Sequence, residues 1–370
     1  MPYAKDKVKI VVVKLQSHVP NLRARLLDWY DQQGRILPWR IRPEDRARGM
    51  SADPYAIWLS EIMLQQTTVS HATPYWKKFL ARWPSVIDLA NANRDQVLTE
   101  WAGLGYYARA RNLHKCAEVV RDRFGGQFPE TERQLLDLPG IGPYTAATMA
   151  AICFGEPTNI VDGNVERVIS RLYGEAAPLP KSKLLLRKLA APLADPDRPG
   201  DYGQALMDLG ATICTPRAPQ CSACPWNLAC RALRDGEPEK YPQKIRKVKP
   251  VKFGAVFALI YDDHILLRQR PDKGLLGGML ELPTTTWNEA MTDRPFEYAP
   301  TDKNWEKCSG QIKHIFTHFE LRLDVYRAAS KAQTLDGIWA KTKNLSNYPI
   351  PTLTKKAIKL ALDEVNRRET

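Results

Sequence analysis

Nowhere in the 370-residue sequence does an apolar run approach the roughly 18 to 20 residues that a bilayer-crossing helix needs, so a membrane-spanning helix is excluded. The first 20 residues hold one short apolar run, Ile10 to Val13, between lysines and with no small-residue cleavage site behind it; no signal peptide is expected. A cytoplasmic protein follows, and in that compartment the seven cysteines are not expected to pair as disulfides. Acidic residues are outnumbered, 41 against 54 Lys and Arg, and the resulting charge of +13 favours a polyanionic partner whose counterions are released on binding. What is present is otherwise ordinary for a soluble globular protein, with 44% hydrophobic and 26% charged residues. The length is too great for one compact core, and two domains are expected.

The stretch LLDLPGIGPYTAATMAAICFGEPTNIVDGNV, residues 135 to 165, organises the first domain. Thr131 followed by Gln134 forms a capping-box pattern, and Pro139-Gly140 should stop the helix after little more than two turns. Pro143 suits the first position of the next helix, because its φ is already helical and its missing N–H would have no partner there. Between them, Gly140 and Gly142 lack a Cβ and permit positive φ and close approach, while the amides of the second helix point outward from its positive end. Such a turn can hold a phosphate, although an ordinary helix-to-helix connection would read the same way.

Upstream, DPYAIWLSEIMLQQTTV predicts a helix capped by Asp53 with Pro54 first. Ile57, Trp58, Ile62 and Leu64 fall at helical spacing and Glu61 shares their stripe. A carboxyl buried there resists ionisation and suits proton transfer near neutral pH, whereas one at the stripe's edge would reach solvent. Gln65, Gln66 and Thr67 can donate to base edges or face water. In WAGLGYYARARNL, Leu104, Tyr106 and Tyr107 lie in a glycine-relaxed loop ahead of Arg109 and Arg111. That pattern suits base stacking or wedging with arginines on phosphates, and equally a tyrosine that fills a core.

Asp162 caps the helix GNVERVISRLY, whose Val165, Val168, Ile169 and Leu172 make an apolar face. Amides at that helix start favour the ionised form, leaving a fixed anion to face a developing cation. Glu61 and Asp162 are thus expected in opposite protonation states, the division of labour of glycoside cleavage.

Cys214, Cys221, Cys224 and Cys230 follow the spacing C-x6-C-x2-C-x5-C. Zinc sites more often pair two knuckles across a longer gap, and one compact four-thiolate loop suits a 4Fe-4S cluster. Cys116, Cys153 and Cys308 stand alone and read as small apolar residues. Next comes a charged, proline-containing stretch with Lys244, Arg246, Lys247, Lys249 and Lys252, expected to be an exposed linker able to lie on a phosphate backbone. From Phe253 the pattern alternates, with strands around an Asp262-Asp263 turn, a further strand in ELRLDVYRA and a last helix from Leu353, an α+β domain.

Together LPWR (37 to 40), the Glu61 helix, GLGYYARARNL, LPGIGPYTA, VDGNVERV, the four-cysteine loop and GLLGGMLELPTT resemble the adenine DNA glycosylases of the MutY type, relatives of endonuclease III. The resemblance implies a mainly α N-terminal helix-hairpin-helix glycosylase domain with an iron-sulfur loop (1–232), a basic linker (233–250) and an α+β Nudix-like C-terminal lesion-recognition domain (251–370). It implies a monomer that excises adenine opposite 8-oxoguanine or guanine from double-stranded DNA by base flipping, in a bacterial cytoplasm and associated with the nucleoid. Residue by residue, it implies that Glu61 protonates adenine, Asp162 stabilises the sugar cation and Tyr144 and Asn164 assist. Gln66, Thr67, Leu104 and Tyr106 match positions at the lesion pair, Gly140 and Gly142 the phosphate site, and Phe316, Thr317 and His318 a lesion-contacting loop in which threonine replaces the usual serine. No REx2ExxE-like acidic run is present, so Nudix pyrophosphatase activity is not expected. Tyr144 occupies the position where a bifunctional glycosylase/lyase carries its lysine, so lyase chemistry is not expected either. A non-enzymatic iron-sulfur DNA-binding protein is the remaining alternative.

Overall fold

The structure, a computed structural model, describes residues 18–243 and 248–366. The Ile10 to Val13 run, and Lys244, Arg246 and Lys247 of the expected linker, lie outside the described residues. In chain order the principal helices are α1 Val19–Gln33, α2 Pro54–Leu64, α3 Val69–Arg82, α4 Arg94–Trp101, α5 Ala108–Phe124, α6 Pro143–Phe154, α7 Gly163–Tyr173, α8 Pro199–Asp208 and α9 Thr352–Asn366. The strands are β1 Val251–Tyr261, β2 His264–Gln269, β3 Leu280–Glu281, β4 Glu306–Ile315, β5 Glu320–Ala329 and β6 Ile338–Lys341. Two compact units result: residues up to 66 pack with 119–243, and 67–118 pack with 248–366. Among the described residues no helix is long and apolar enough to cross a membrane.

The first unit is helical. Asp53 caps α2, its Oδ1 accepting from the Tyr55 amide at 2.9 Å, and Pro54 opens the helix. Tyr55 and every residue from Ile57 to Met63 are buried, so Glu61 is carried inside by a helix whose other buried side chains, Ser60 apart, are apolar. Burying a side chain such as Leu59 or Met63 stabilises by about 1.5–3 kcal/mol, which offsets part of the penalty of enclosing one carboxyl. Helix α6 is a column of small residues, and α8 crosses it closely: a Cβ on Gly200 would lie 2.9 Å from the Ala151 carbonyl oxygen. The main core joins α1, α7 and α8 and is plugged by Trp226, whose Nε1 donates to the Leu22 carbonyl at 2.9 Å.

Thr131 caps the hairpin's first helix by accepting from the Gln134 amide, but that helix is one turn, Glu132–Leu135, and shorter than its pattern predicts. Asp137 and Leu138 donate three residues back, to Gln134 and Leu135, so the chain tightens before Pro139 instead of continuing as α-helix.

The second unit is a six-stranded sheet with helices. β1 runs parallel to β5 in register from Val251↔Glu320 to Ile260↔Ala329, and β4 pairs antiparallel with β5. β2 returns from β1 through the expected turn, where Asp262 has φ of 51°, and also pairs with β3 and β6. Leu353, Ala357, Ile358 and Ala361 of α9 close one face of the sheet. In the same unit Phe79 of α3 packs edge-on against Trp83 and Trp101, at ring separations of 5.0 and 5.9 Å.

Candidate active site

Glu61 and Asp162 come together in the first unit. Burial pushes the Glu61 carboxyl up to about 7; the neighbouring Asp162 adds to the rise, while a hydrogen bond from Tyr144 and the charge of Arg40 oppose it. Glu61 is 7% exposed, so the solvent-reaching alternative does not apply. Tyr144 stands in the first turn of α6, directly after the hairpin. Its hydroxyl reaches Glu61 and lies 3.0 Å from Met207 Sδ, the two acceptors sharing one O–H. Burial and the two carboxylates raise its pKa well above the ordinary value, so Tyr144 stays a neutral donor.

Asp162 caps α7 as its sequence context predicts, Oδ1 accepting from the Val165 amide at 2.7 Å and Oδ2 from Asn164 Nδ2 at 2.9 Å. The direction of its pKa shift differs from the expectation. Burial raises it, and the amide and Asn164 hydrogen bonds with the Arg167 charge only partly counter that rise. The two acids are nevertheless unlike: Asp162 receives three hydrogen bonds to its charged form, whereas Glu61 receives one, from a phenol.

A second layer was invisible in sequence. Asp208, at the end of α8 and fully buried, accepts from Arg40 Nη1 and Nη2 at 2.7 and 2.8 Å and from the Arg35 amide and Nε at 2.8 and 2.7 Å. Burial alone would push Asp208 up; the two arginines more than offset it and hold the carboxyl below its ordinary range. Arg40 closes the LPWR segment, and its charge is the one felt by Glu61. The signal was an arginine in a motif otherwise read only as family likeness; its partner lies 168 residues away.

Asn164 and Arg167 extend the site toward the cysteine loop. Arg167 donates from Nη2 to Asn164 Oδ1 at 2.9 Å and to the Gly210 carbonyl at 2.6 Å, and from Nε to the Cys214 carbonyl at 2.8 Å. Gly210 sits in a π-helical turn, Leu209–Ile213, that continues α8, and a Cβ there would come within 2.6 Å of the Asn164 Cβ. Cys214 follows this turn, Cys221 and Cys224 lie on a 3-10 turn, and Cys230 caps the short helix Arg231–Arg234. Among the described residues no three His, Cys, Asp or Glu side chains already stand as a closed coordination shell. The donor set nonetheless suits an iron-sulfur cluster. All four donors are sulfur, and buried Arg171 donates to Cys214 Sγ at 3.2 Å and to the Thr215 carbonyl at 2.8 Å, a fixed cation suited to a net-negative thiolate group.

In the hairpin turn, Gly140 takes the left-handed conformation (φ 77°), whereas Gly142 does not: at φ −95° it is the extended N-cap of α6. Its bare α-carbon leaves open space in front of the helix start. Gln66, at the edge of this unit, is exposed with φ of 57°.

The remaining candidates belong to the second unit. Tyr106 projects to solvent, 46% exposed, from a left-handed backbone (φ 48°) between Gly105 (φ 71°) and buried Tyr107. Leu104, ahead of it in the same loop, is buried, 5% exposed. Arg109 turns inward, donating to the Leu104 and Gly105 carbonyls at 3.0 and 3.2 Å, and Thr67 accepts from the same guanidinium at 3.4 Å. Arg111 also turns inward, onto the Gly277 carbonyl; the expected role of these arginines on phosphates gives way to holding the loop. Phe316 packs back on Trp287, Phe319 and His314, leaving Thr317 and His318 exposed at the tip between β4 and β5. The Thr317 hydroxyl lies 2.7 Å from that of Tyr106.

A helix-hairpin-helix unit with a buried and a half-buried acid brought together, followed by a mixed sheet, defines a base-excision DNA glycosylase. Residues 59–193 match the HhH-GPD superfamily of base excision DNA repair proteins, and residues 255–360 match the NUDIX domain. The solved structure of a thermostable thymine-DNA glycosylase is 29% identical with a TM-score of 0.50, covering 63% of this chain and 99% of its own. A trapped endonuclease III–DNA covalent intermediate, 20% identical with a TM-score of 0.50 over 60% and 98%, shares the fold. Among curated proteins, adenine DNA glycosylase of Homo sapiens is 36% identical over 376 residues, 86% of this chain and 68% of the relative. That of Rattus norvegicus is 33% identical over 96% and 80%, and that of Buchnera aphidicola subsp. Acyrthosiphon pisum 31% over 90% and 95%. The chain belongs to the adenine DNA glycosylases, hydrolases of N-glycosyl bonds.

Proposed function

We propose that the chain is a monofunctional glycosylase that removes adenine paired with 8-oxoguanine, and with guanine, from double-stranded DNA, acting as a monomer in the bacterial cytoplasm. Residues 1–232 perform excision and residues 251–370 read the oxidised base. The observation that carries the chemistry is the enclosure of Glu61 beside Asp162, with Glu61 held near neutrality in pKa and Asp162 bound by donors to its charged form.

In this reading the extruded adenosine enters between the two carboxyls. Glu61 delivers its proton to adenine N7, so the base departs neutral, and Tyr144 orients Glu61 through its phenol. Asp162, fixed by Asn164 and the Val165 amide, faces the positive charge that develops on the sugar until water adds. The open amides after Gly140 and Gly142 receive a backbone phosphate. Gln66, Thr67, Leu104 and Tyr106 act at the lesion pair, and Phe316, Thr317 and His318 on the oxidised base. Cys214, Cys221, Cys224 and Cys230 would hold a 4Fe-4S cluster, which when bound cross-links the loop and supplies a redox-capable group.

Alkali-induced strand cleavage of duplexes with A opposite 8-oxoguanine, G, C or T tests the assignment. Excision limited to the first two duplexes is expected, and equal excision of all four would refute it. Tyr144 offers no amine for a Schiff base, so borohydride trapping of most of the enzyme on DNA would overturn the monofunctional reading. Glu61→Gln is expected to lose excision while keeping duplex binding, and unaltered excision would overturn the role given to Glu61. Brown colour with absorbance near about 400 nm is the expected cluster signature, and stoichiometric zinc without iron would reject it.

A further inference from the structure

The loop Pro271 to Gly278, which ends in the GLLGG segment, is fastened by side chains far away in sequence but within the same compact unit. Arg94, at the start of α4, pairs with Asp272, and Arg111, on α5, donates to the Gly277 carbonyl. The two glycines are what the fit demands. A Cβ on Gly277 would lie 2.2 Å from the Asp272 carbonyl oxygen. Gly278 is left-handed (φ 74°), and a Cβ there would meet Arg94 Nη2 and Asp272 Oδ1 at 3.1 Å and Arg111 Cδ at 3.5 Å. The guanidinium groups therefore lie across the face that the missing side chains leave bare.

Two further contacts join the same partners. The Tyr107 phenol reaches the Thr352 backbone at the start of α9, and Tyr106 and Thr317 share their hydroxyl contact at 2.7 Å. Tyr106 stands five residues before Arg111 and two before α5 begins, so whatever fixes α5 also fixes the tyrosine.

We propose that residues 67–118 and the sheet act as one lesion-reading body, clasped by Arg94 and Arg111 on the 271–278 loop, and that Arg111 is a positioning residue for discrimination of the base opposite adenine. The proposal rests on the reading that Tyr106 and Thr317 meet the oxidised base. The clasp sets their mutual distance before DNA arrives, so part of the ordering is complete in the free protein. Arg111 touches neither acid and does not enter the chemistry.

The test uses the full-length, cluster-loaded protein in single-turnover excision on A:8-oxoguanine and A:G duplexes. Arg111→Met is expected to slow the first reaction by roughly tenfold and to leave the second unchanged, the effect of one lost charge-assisted hydrogen bond on discrimination alone. Arg111→Lys, which keeps a donor for the Gly277 carbonyl, should restore most of the preference. In a double-mutant cycle, the coupling between Tyr106→Phe and Thr317→Val should vanish in the Arg111→Met background. Should Arg111→Met fail to fold, Arg94→Gln with Asp272→Asn, an exposed pair, carries the same expectation in smaller measure. Equal slowing on both duplexes, or no slowing on either, overturns the clasp. A wild-type enzyme that treats the two duplexes alike overturns instead the lesion-reading role on which it rests.

Discussion

Replacing Glu61 by Gln should trade activity for stability in a way that depends on pH. Burial raises the Glu61 carboxyl from an ordinary 4.5 to about 7, a rise that corresponds to about 3 kcal/mol against its ionised form. Below the lower value the folded and unfolded chains both hold the proton and no penalty exists. As pH rises toward about 7, the unfolded chain releases a proton that the folded chain retains; stability falls throughout this window and levels off above it. Glutamine keeps the shape and an acceptor for Tyr144 but has nothing to ionise. Thermal unfolding should therefore show Glu61→Gln melting roughly 6–12 °C above wild type at about pH 8, with the gap closing toward about pH 5. Excision by the same variant should fall by roughly 10²–10⁴, the usual worth of a positioned general acid. A melting gap that does not change with pH would falsify the buried-acid reasoning, as would excision close to the wild-type rate.

Other consequences can be measured separately. The single-turnover rate of the wild type should decline about tenfold per pH unit above about 7, as Glu61 loses its proton, and should also fall on the acid side as Asp162 gains one. Asp208→Asn leaves Arg40 buried without its carboxylate and should cost about 3–5 kcal/mol in urea unfolding; no loss would show that the arginines find other partners. Arg167→Met removes the donors to Asn164, Gly210 and Cys214 and should slow excision by roughly 10–100-fold while duplex binding, read by gel shift, persists. Trp226→Ala empties the plug between α1 and the cysteine loop and should cost about 3–5 kcal/mol, visible as a lowered melting temperature.

The parts of this fold that could be read from sequence are those whose causes are local. Asp53 and Asp162 both cap helices because a short acceptor precedes an amide-rich turn, and the Glu61 stripe is buried because its neighbours at helical spacing are apolar. The Asp262-Asp263 turn and the strands on either side were likewise legible. Glu61 and Asp162 could be named but not placed, since nothing in spacing says that residues 101 positions apart share one enclosure. The sign of the Asp162 shift was misjudged for a related reason: amides at a helix start are visible in sequence, but how completely the site is sealed from water is not. Asp208 was unreadable because its two arginines come from the opposite end of the unit. Arg109 and Arg111 stand beside aromatic residues, the pattern that suits contacts to phosphates, but within the fold they donate to carbonyl oxygens, which sequence never advertises.

The π-turn after α8 has an implication for chain length. Asp208 meets Arg35 and Arg40 just ahead of this widened turn, and the turn then delivers Gly210 and Cys214 to Arg167, two attachments on either side of one bend. Removing a single residue from Leu209–Ile213 would let the backbone close to regular pitch, and the carbonyls of Gly210 and Cys214 would no longer both stand where Arg167 meets them. Many side-chain replacements in this segment should therefore be survivable, while the shortest possible deletion would unhook the sulfur-bearing loop from the acid that it braces.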